Sequence, residues 1–103
     1  MQTDLIIISE YCQKSHIDPV FIEMLSEEGL IDILEEENEH YLFTSQLNDL
    51  ERYSRLYYDL AINMEGIDAI HNLLERIEDM QREIRFLKRQ LTLYVPTVHE
   101  YLE

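Results

Sequence analysis

The first third of the chain alternates short apolar segments with residues that begin and end helices. Residues 5–8 (LIII) are a β-branched run, and Ser9 is placed like an N-cap, which predicts a short helix over EYCQKSH. Asp18 before Pro19 is a second start signal, because aspartate caps helices and proline is tolerated at the first helical position. Gly29 predicts the end of this second helix. Two short helices with a tight turn between them predict a helix-turn-helix, a pattern shared by many folds.

Apolar residues spaced by two on either side of an acidic run predict a β-hairpin with one buried face. The apolar positions are Ile31, Ile33, Tyr41 and Phe43. The acidic run between them is Glu35, Glu36, Glu37, Asn38 and Glu39. This run is predicted to form the tip of the hairpin, which would stand beside the helix-turn-helix as a wing.

A helical period of apolar residues follows the hairpin and predicts a third helix that packs on the preceding elements. The residues on its predicted inner side are Leu47, Leu50, Tyr53, Tyr57 and Leu60. Asn63, with Glu65 behind it, predicts the start of another helix. Gly66 is expected to let the backbone approach the preceding helix closely, so that the two helices form a hairpin.

The last helix has an unbroken heptad pattern, because its apolar residues alternate spacings of four and three. They are Leu73, Ile77, Met80, Ile84, Leu87, Leu91 and Tyr94, with Ile70 one step earlier. A lone helix would leave this stripe in water, which predicts a homodimer with closed symmetry. The predicted fold is mainly α: an acidic winged helix-turn-helix module with its packing helix (1–62), a coiled-coil dimerisation helix (63–95) that Pro96 ends, and a tail (96–103).

Charge is distributed unevenly along the chain, whose net charge is −14. Residues 1–51 hold thirteen aspartates and glutamates against Lys14 alone, whereas residues 52–103 hold nine against seven basic residues. This balance argues against free nucleic acid and anionic membranes as partners. A basic protein partner is one explanation, and an acidic surface that only keeps the protein soluble is the other.

The residues predict neither an enzyme nor a cofactor or metal site. Cys12 is the only cysteine and has no basic neighbour to activate it, so a buried structural thiol is expected. The four histidines lack the spacing of metal ligands, and His71 is expected to pair with Glu75 one helical turn away. Two glycines are too few for a phosphate-binding loop. No signal peptide or membrane-spanning run is recognisable, which predicts a cytoplasmic protein.

The order of these elements resembles the DNA-binding module of MerR-type regulators, but the residues that would contact DNA are different. Where that module has a basic residue and two aromatic residues, this chain has Glu23, Met24 and Leu25. Its wing carries glutamates where arginine is usual. Because carboxylates repel phosphates, the resemblance favours a protein that has exchanged DNA for another partner.

Residues 5–95 resemble the CbpM family of chaperone modulators, small MerR-like proteins that bind a J-domain co-chaperone of the curved-DNA-binding type. The matching segments are Glu10-Tyr11-Cys12, Gly29-Leu30-Ile31, Tyr41-Leu42-Phe43, Arg55-Leu56, Asp59-Leu60, Gly66-Ile67 and the heptads through Leu91. The resemblance implies a homodimer that binds the J domain and restrains both the co-chaperone's stimulation of Hsp70 and its DNA binding.

J domains engage Hsp70 through a basic helix, so an acidic face on this protein would compete for that helix. The predicted partner-binding residues are Glu23, Glu27, Glu28, Glu35, Glu36, Glu37 and Glu39, with Tyr58 as a partly exposed anchor. The alternative is a MerR-type transcriptional regulator. That function requires basic groups near phosphates, and Lys14 alone lies in the helix-turn-helix and wing.

Overall fold

The computed structural model describes residues 4–94, which form two compact units, one ending at Ala69 and the other beginning at Ile70. The elements are β1 (Leu5–Ile7), α1 (Ile8–Ser15), α2 (Pro19–Glu27), β2 (Ile33–Glu36), β3 (Glu39–Phe43), a 3-10 turn (Thr44–Gln46), α3 (Leu47–Ser54), a π-helical turn (Arg55–Asp59) and α4 (Met64–Tyr94). The mainly helical architecture with a small sheet agrees with the prediction. The predicted stop at Pro96 and the tail at 96–103 lie outside the described residues.

Both predicted boundaries of α2 are confirmed. The Asp18 carboxylate accepts a hydrogen bond from the backbone N–H of Val20 at 2.9 Å, and Pro19 is the first helical residue. Gly29 has a φ of +77°, and the N–H of Leu30 behind it donates to the carbonyl of Leu25 at 2.9 Å. This is the Schellman arrangement, in which a glycine in the left-handed region ends the helix. α1 and α2 thus form the predicted helix-turn-helix.

The predicted N-cap at Ser9 is wrong, because α1 already begins at Ile8 and Ser9 lies inside it. Ile7 is the cap residue, and its side chain makes no capping hydrogen bond. The physical reason is that residues 5–7 pair with β3 as a strand, with Ile7 opposite Tyr41. The chain turns directly from this strand into the helix, which leaves no linker in which Ser9 could act as a cap.

The predicted hairpin is present, but it belongs to a three-stranded antiparallel sheet with the order β1-β3-β2. Leu42 in the central strand lies opposite Ile6 on one side and Ile33 on the other, and all three share one face. Leu42 is fully buried. Tyr41 and Phe43 therefore lie on the other face, so the prediction that they share a buried face with Ile33 is wrong. A central strand that is apolar on both faces gives no alternation from which to choose its inner side.

One hydrophobic core joins α2, the sheet, α3 and the first turns of α4. Its buried residues are Phe21, Ile22, Leu25, Leu30, Ile31, Leu42, Leu50, Tyr53, Met64 and Ile67. The side chain of Gln46 links the base of the hairpin to the start of α3, because it accepts from the N–H of Asp32 at 2.6 Å and donates to the carbonyl of Asp32 at 2.9 Å. The position of the hairpin is thus fixed by the core and by this pair of hydrogen bonds.

The third helix does not continue in α-helical form as its period predicted. After Ser54 the chain makes the π-helical turn, and the N–H of Leu60 donates to the carbonyl of Arg55, five residues earlier, at 3.2 Å. A π turn holds more residues than an α turn, so the side chains that follow it are rotated away from the apolar side. Leu60 is 63% exposed, and its predicted place in the core is wrong. Leu50 and Tyr53, which precede the π turn, are buried as predicted.

The start of α4 agrees with the prediction. The side-chain oxygen of Asn63 accepts from the N–H of Gly66 at 2.8 Å, which is an N-cap interaction. A Cβ atom at Gly66 would lie 2.6 Å from Cγ2 of Ile62. Gly66 therefore lies close to the connecting residue Ile62, while the expected approach to the preceding helix and the helical hairpin stay predictions.

Candidate functional site

A groove of about 460 Å³ opens between the beginning of α1, one side of α2 and the hairpin of β2 and β3. Its apolar lining consists of Ile8, Pro19, Ile22 and Ile33. α2 contributes Pro19, Ile22, Glu23 and Ser26, which occupy the i, i+3, i+4 and i+7 positions of one helix side. The groove is therefore built by the secondary structure of the module, with an apolar floor that includes the fully buried Ile22.

Three glutamates from three different elements line this groove: Glu23 of α2, Glu35 of β2 and Glu39 of β3. Glu35 lies on the hairpin face that carries Ile33, whereas Glu39, the strand partner of Glu36, belongs to the other face. Nε2 of His40 lies 3.6 Å from a carboxylate oxygen of Glu35, the residue opposite it in the hairpin. The carboxylate of Glu39 accepts from the N–H of His40 at 3.3 Å. Neither lysine nor arginine is among the described residues that line the groove. Its mouth is therefore negatively charged, and His40 is the adjacent group that can offset part of this charge when protonated.

The acidic run is only partly the tip of the hairpin, which corrects the prediction that the whole run forms it. Strand pairing extends to Glu36 opposite Glu39, so only Glu37 and Asn38 form the turn. Their φ values are +52° and +65°, as in a two-residue type I′ turn. Glu35 and Glu39 are consequently fixed in paired strands, a more rigid setting than a loop provides.

The other predicted partner-binding residues do not line the groove. Glu27 is the last residue of α2, Glu28 caps it, and Glu36 and Glu37 lie at the end of the hairpin. Tyr58 is 52% exposed, as expected of a partial anchor, and its ring centroid lies 5.2 Å from that of Phe21. Phe21 and Glu23 are about 160° apart around a helix of 3.6 residues per turn. Tyr58 therefore contacts the side of α2 away from the groove.

Several residues of the groove were not predicted from the sequence, among them Ile8, Pro19, Ser26 and His40. A helical projection of α2 would have grouped Pro19 and Ser26 with Glu23, because these positions repeat at three- and four-residue steps. The contribution of His40 depends on the hairpin register, which places it opposite Glu35. The helical period alone could not supply that register.

The other titratable groups within residues 4–94 form no candidate metal site. No three His, Cys, Asp or Glu side chains in this range are arranged to hold a metal ion. Cys12 is half-buried, and burial together with the nearby Asp18 carboxylate raises the pKa of its thiol. His71 pairs with Glu75 at 3.3 Å, as predicted. None of the helices in this range has the length and apolar character that a membrane span requires.

The heptad residues lie on the part of α4 that belongs to the second unit. The side chains of Leu73, Ile77, Met80, Ile84, Leu87 and Leu91 are between 43% and 59% exposed in the single chain. Phe86 and Leu93 are also exposed, but they lie outside the four-three pattern. Within the described part of the second unit, the helix thus carries an apolar stripe whose side chains are about half exposed.

Residues 6–89 match the model of the MerR HTH family of regulatory proteins. The chain belongs to this family. The matched range covers the helix-turn-helix, the hairpin, α3 and most of α4, and the observed fold is that of a winged helix-turn-helix. No curated protein and no solved structure matches the chain. Family membership identifies a regulatory protein, while its partner has to be inferred from the site.

Proposed function

We propose that this protein is a regulatory binding protein of the chaperone-modulator type, which acts on the J domain of a co-chaperone. The observation that carries the proposal is that Glu23 of α2 and Glu35 of the hairpin line one groove of the winged helix-turn-helix, with Glu39 at its border. α2 and the hairpin are the elements with which such a module ordinarily meets a DNA backbone. Here these elements present carboxylates, which attract a basic protein surface and repel phosphate.

The size of the electrostatic effect favours a protein partner over DNA. Two unit charges about 4 Å apart near a protein surface interact by roughly 4 kcal/mol, and the sign is unfavourable for a carboxylate beside a phosphate. A typical DNA reader makes about six to ten phosphate contacts through basic groups. The helix-turn-helix and hairpin contain one lysine, Lys14, and no arginine. The same carboxylates would accelerate encounter with a basic protein.

The J domain is proposed because of the resemblance to chaperone modulators and because J domains use a basic helix to engage Hsp70. A protein that occupies this helix would prevent the co-chaperone from stimulating Hsp70. Inhibition would then be competitive, so a sufficient concentration of Hsp70 should overcome it. Homodimerisation through the heptad residues is the second part of the proposal, and the exposed apolar stripe of α4 supports it.

The direct test is to measure binding of the purified protein to each J domain encoded in the same genome, together with the J-domain-stimulated ATPase activity of Hsp70. We expect one J domain to bind and its stimulation to be inhibited. A gel-shift measurement with genomic DNA fragments serves as the counter-test. DNA binding without any J-domain binding would contradict the proposal and favour a transcriptional regulator.

A variant with three charges removed tests the proposed role of the groove carboxylates. Changing Glu23, Glu35 and Glu39 to Gln should lower the association rate for the J domain by roughly tenfold at low salt, and higher ionic strength should narrow the difference. The matched control changes Glu28, Glu37 and Glu51 to Gln, which removes equal charge from exposed sites that do not line the groove. Surface plasmon resonance at two salt concentrations measures both variants. Equal association rates for the two would show that only net charge matters.

A further inference from the structure

We propose that the groove between α1, α2 and the hairpin binds an amphipathic basic segment of the partner. An apolar side chain of this segment inserts against Ile8, Ile22 and Ile33. This inference rests on the proposed function and adds to it the place of contact, the apolar anchor and the kind of segment recognised. Charge alone would favour any basic surface. The groove adds a requirement for shape and for an apolar group.

The groove combines the two features that such a segment needs. Its volume of about 460 Å³ lies in the range of roughly 300–1,000 Å³ that is typical of binding pockets, so it can hold an apolar side chain of any size. The apolar floor allows this side chain to leave water, which supplies affinity that exposed charge pairs do not.

The charges around the floor determine which neighbours the inserted side chain can have. Glu23 belongs to α2 and Glu35 to β2, so glutamates lie on the helix side and on the hairpin side of the groove. A segment with lysine or arginine on both sides of its apolar residue would pair with them. An acidic segment or a nucleic-acid backbone would instead bring its own negative charges against these carboxylates. Charge complementarity therefore selects a basic amphipathic segment.

Ser26 provides a way to fill the groove without changing its charge. It is half-buried on the groove side of α2, and Ser26→Phe would place a ring in the space that the anchor requires. Ser26→Ala is the matched control, since it removes the hydroxyl and leaves the groove open. Circular dichroism and thermal unfolding of both variants would establish that each is folded.

The experiment measures binding of wild type and both variants to the J domain and to a synthetic helical peptide of leucine and lysine with one apolar face. We expect Ser26→Phe to weaken both interactions by about tenfold or more, as loss of a buried anchor does, and Ser26→Ala to bind like wild type. If the J domain binds wild type and Ser26→Phe equally, the groove proposal is wrong and the proposed function stands.

Failure of the proposed function gives a different result. If no J domain binds the wild type, the proposed function is wrong, and the groove proposal is tested by the peptide alone. Loss of peptide binding in Ser26→Phe would support the groove proposal. Unchanged peptide binding in Ser26→Phe would overturn it. Sedimentation of the Ser26→Phe variant covers a further possibility. Conversion of a wild-type dimer to monomer would identify a second copy of this chain as the occupant and would overturn the proposal.

Discussion

At the scale of single residues, the hairpin turn shows a conflict between side-chain charge and backbone preference. Glu37 has a φ of +52°, and a glutamate in the left-handed region is disfavoured by about 1–2 kcal/mol because of its Cβ atom. Asparagine tolerates this region better and is typical of the first turn position in type I′ hairpins. Glu37 thus keeps a negative charge at the hairpin end at a small cost in stability.

Glu37→Asn should therefore raise the free energy of unfolding, by about 0.5–1 kcal/mol, as measured by urea denaturation. Glu51→Asn is the matched control, because it removes the same charge at an exposed position within α3. There asparagine is the poorer helix former, so the control should be destabilised by a few tenths of a kcal/mol. If both variants change in the same direction, net charge rather than turn geometry governs the result.

The thiol of Cys12 makes the stability of the folded protein depend on pH. Burial and the Asp18 carboxylate raise the pKa of its thiol in the folded protein above the unfolded value. The neutral thiol is thus favoured on folding, and this contribution to stability is complete below the unfolded pKa and is lost as pH rises through the folded pKa.

Alkylation by iodoacetamide checks this assignment, since only the thiolate reacts. Native Cys12 should react more slowly than Cys12 in urea-unfolded protein at pH 7 to 8, and the ratio of rates should shrink as the pH passes the folded pKa. A native thiol that reacts as fast as the unfolded one at neutral pH would mean that its environment does not suppress ionisation.

At the scale of elements, the two boundaries of α2 were predictable from local chemistry, whereas the start of α1 was not. Asp18 and Gly29 bound α2 because capping and left-handed backbone preferences act within a few residues. The π-helical turn was not predictable from the period, because Leu47 to Leu60 fits an α-helix equally well by spacing. β1 was missed as a strand since its pairing with β3 joins residues some thirty-five positions apart.

Gly66 tests the junction between the π-helical turn and α4. Gly66→Ala would improve helix propensity by about 1 kcal/mol, but its Cβ would lie 2.6 Å from Cγ2 of Ile62. We expect the clash with Ile62 to outweigh the gain in helix propensity and to destabilise the protein by about 1–3 kcal/mol, as overpacking does. Asn72→Ala, at an exposed position of the same helix, should instead stabilise slightly. Thermal unfolding of both variants compares the two effects. A stabilised Gly66→Ala variant would show that the side chain of Ile62 moves aside at little energetic cost.

At the scale of the whole molecule, function depends on placements that no local pattern encodes. The sequence indicated that Glu23 and the acidic run were unusual for a MerR-type module. It did not indicate which glutamates of the run line a groove with Glu23. The hairpin register places Glu35 on the same face as Ile33, whereas Glu39 borders the groove as the strand partner of Glu36. Tyr58 was grouped with these residues by its exposure, although its contact with Phe21 places it on the other side of α2.

The heptad stripe of α4 predicts how copies of the chain assemble. Ile70, Ile77, Ile84 and Leu91 occupy the a positions, and Leu73, Met80, Leu87 and Tyr94 occupy the d positions. Isoleucine at a with leucine at d is the composition that favours two-stranded coiled coils. The exposed stripe of α4 is therefore expected to pair with the same stripe of a second copy. Such a dimer would contain two modules that can each bind a J domain.

Ile84→Asp with Leu87→Asp would bury two carboxylates per chain in this interface, at a cost of several kcal/mol for unpaired charges. Sedimentation should then show a monomer in place of the wild-type dimer. Phe86→Asp with Leu93→Asp is the matched control, because it makes the same kind of change at exposed apolar positions of the same helix outside the heptad pattern. The control should remain dimeric. A dimer that survives the first pair of substitutions, or that the control pair disrupts equally, would place the interface elsewhere on the chain.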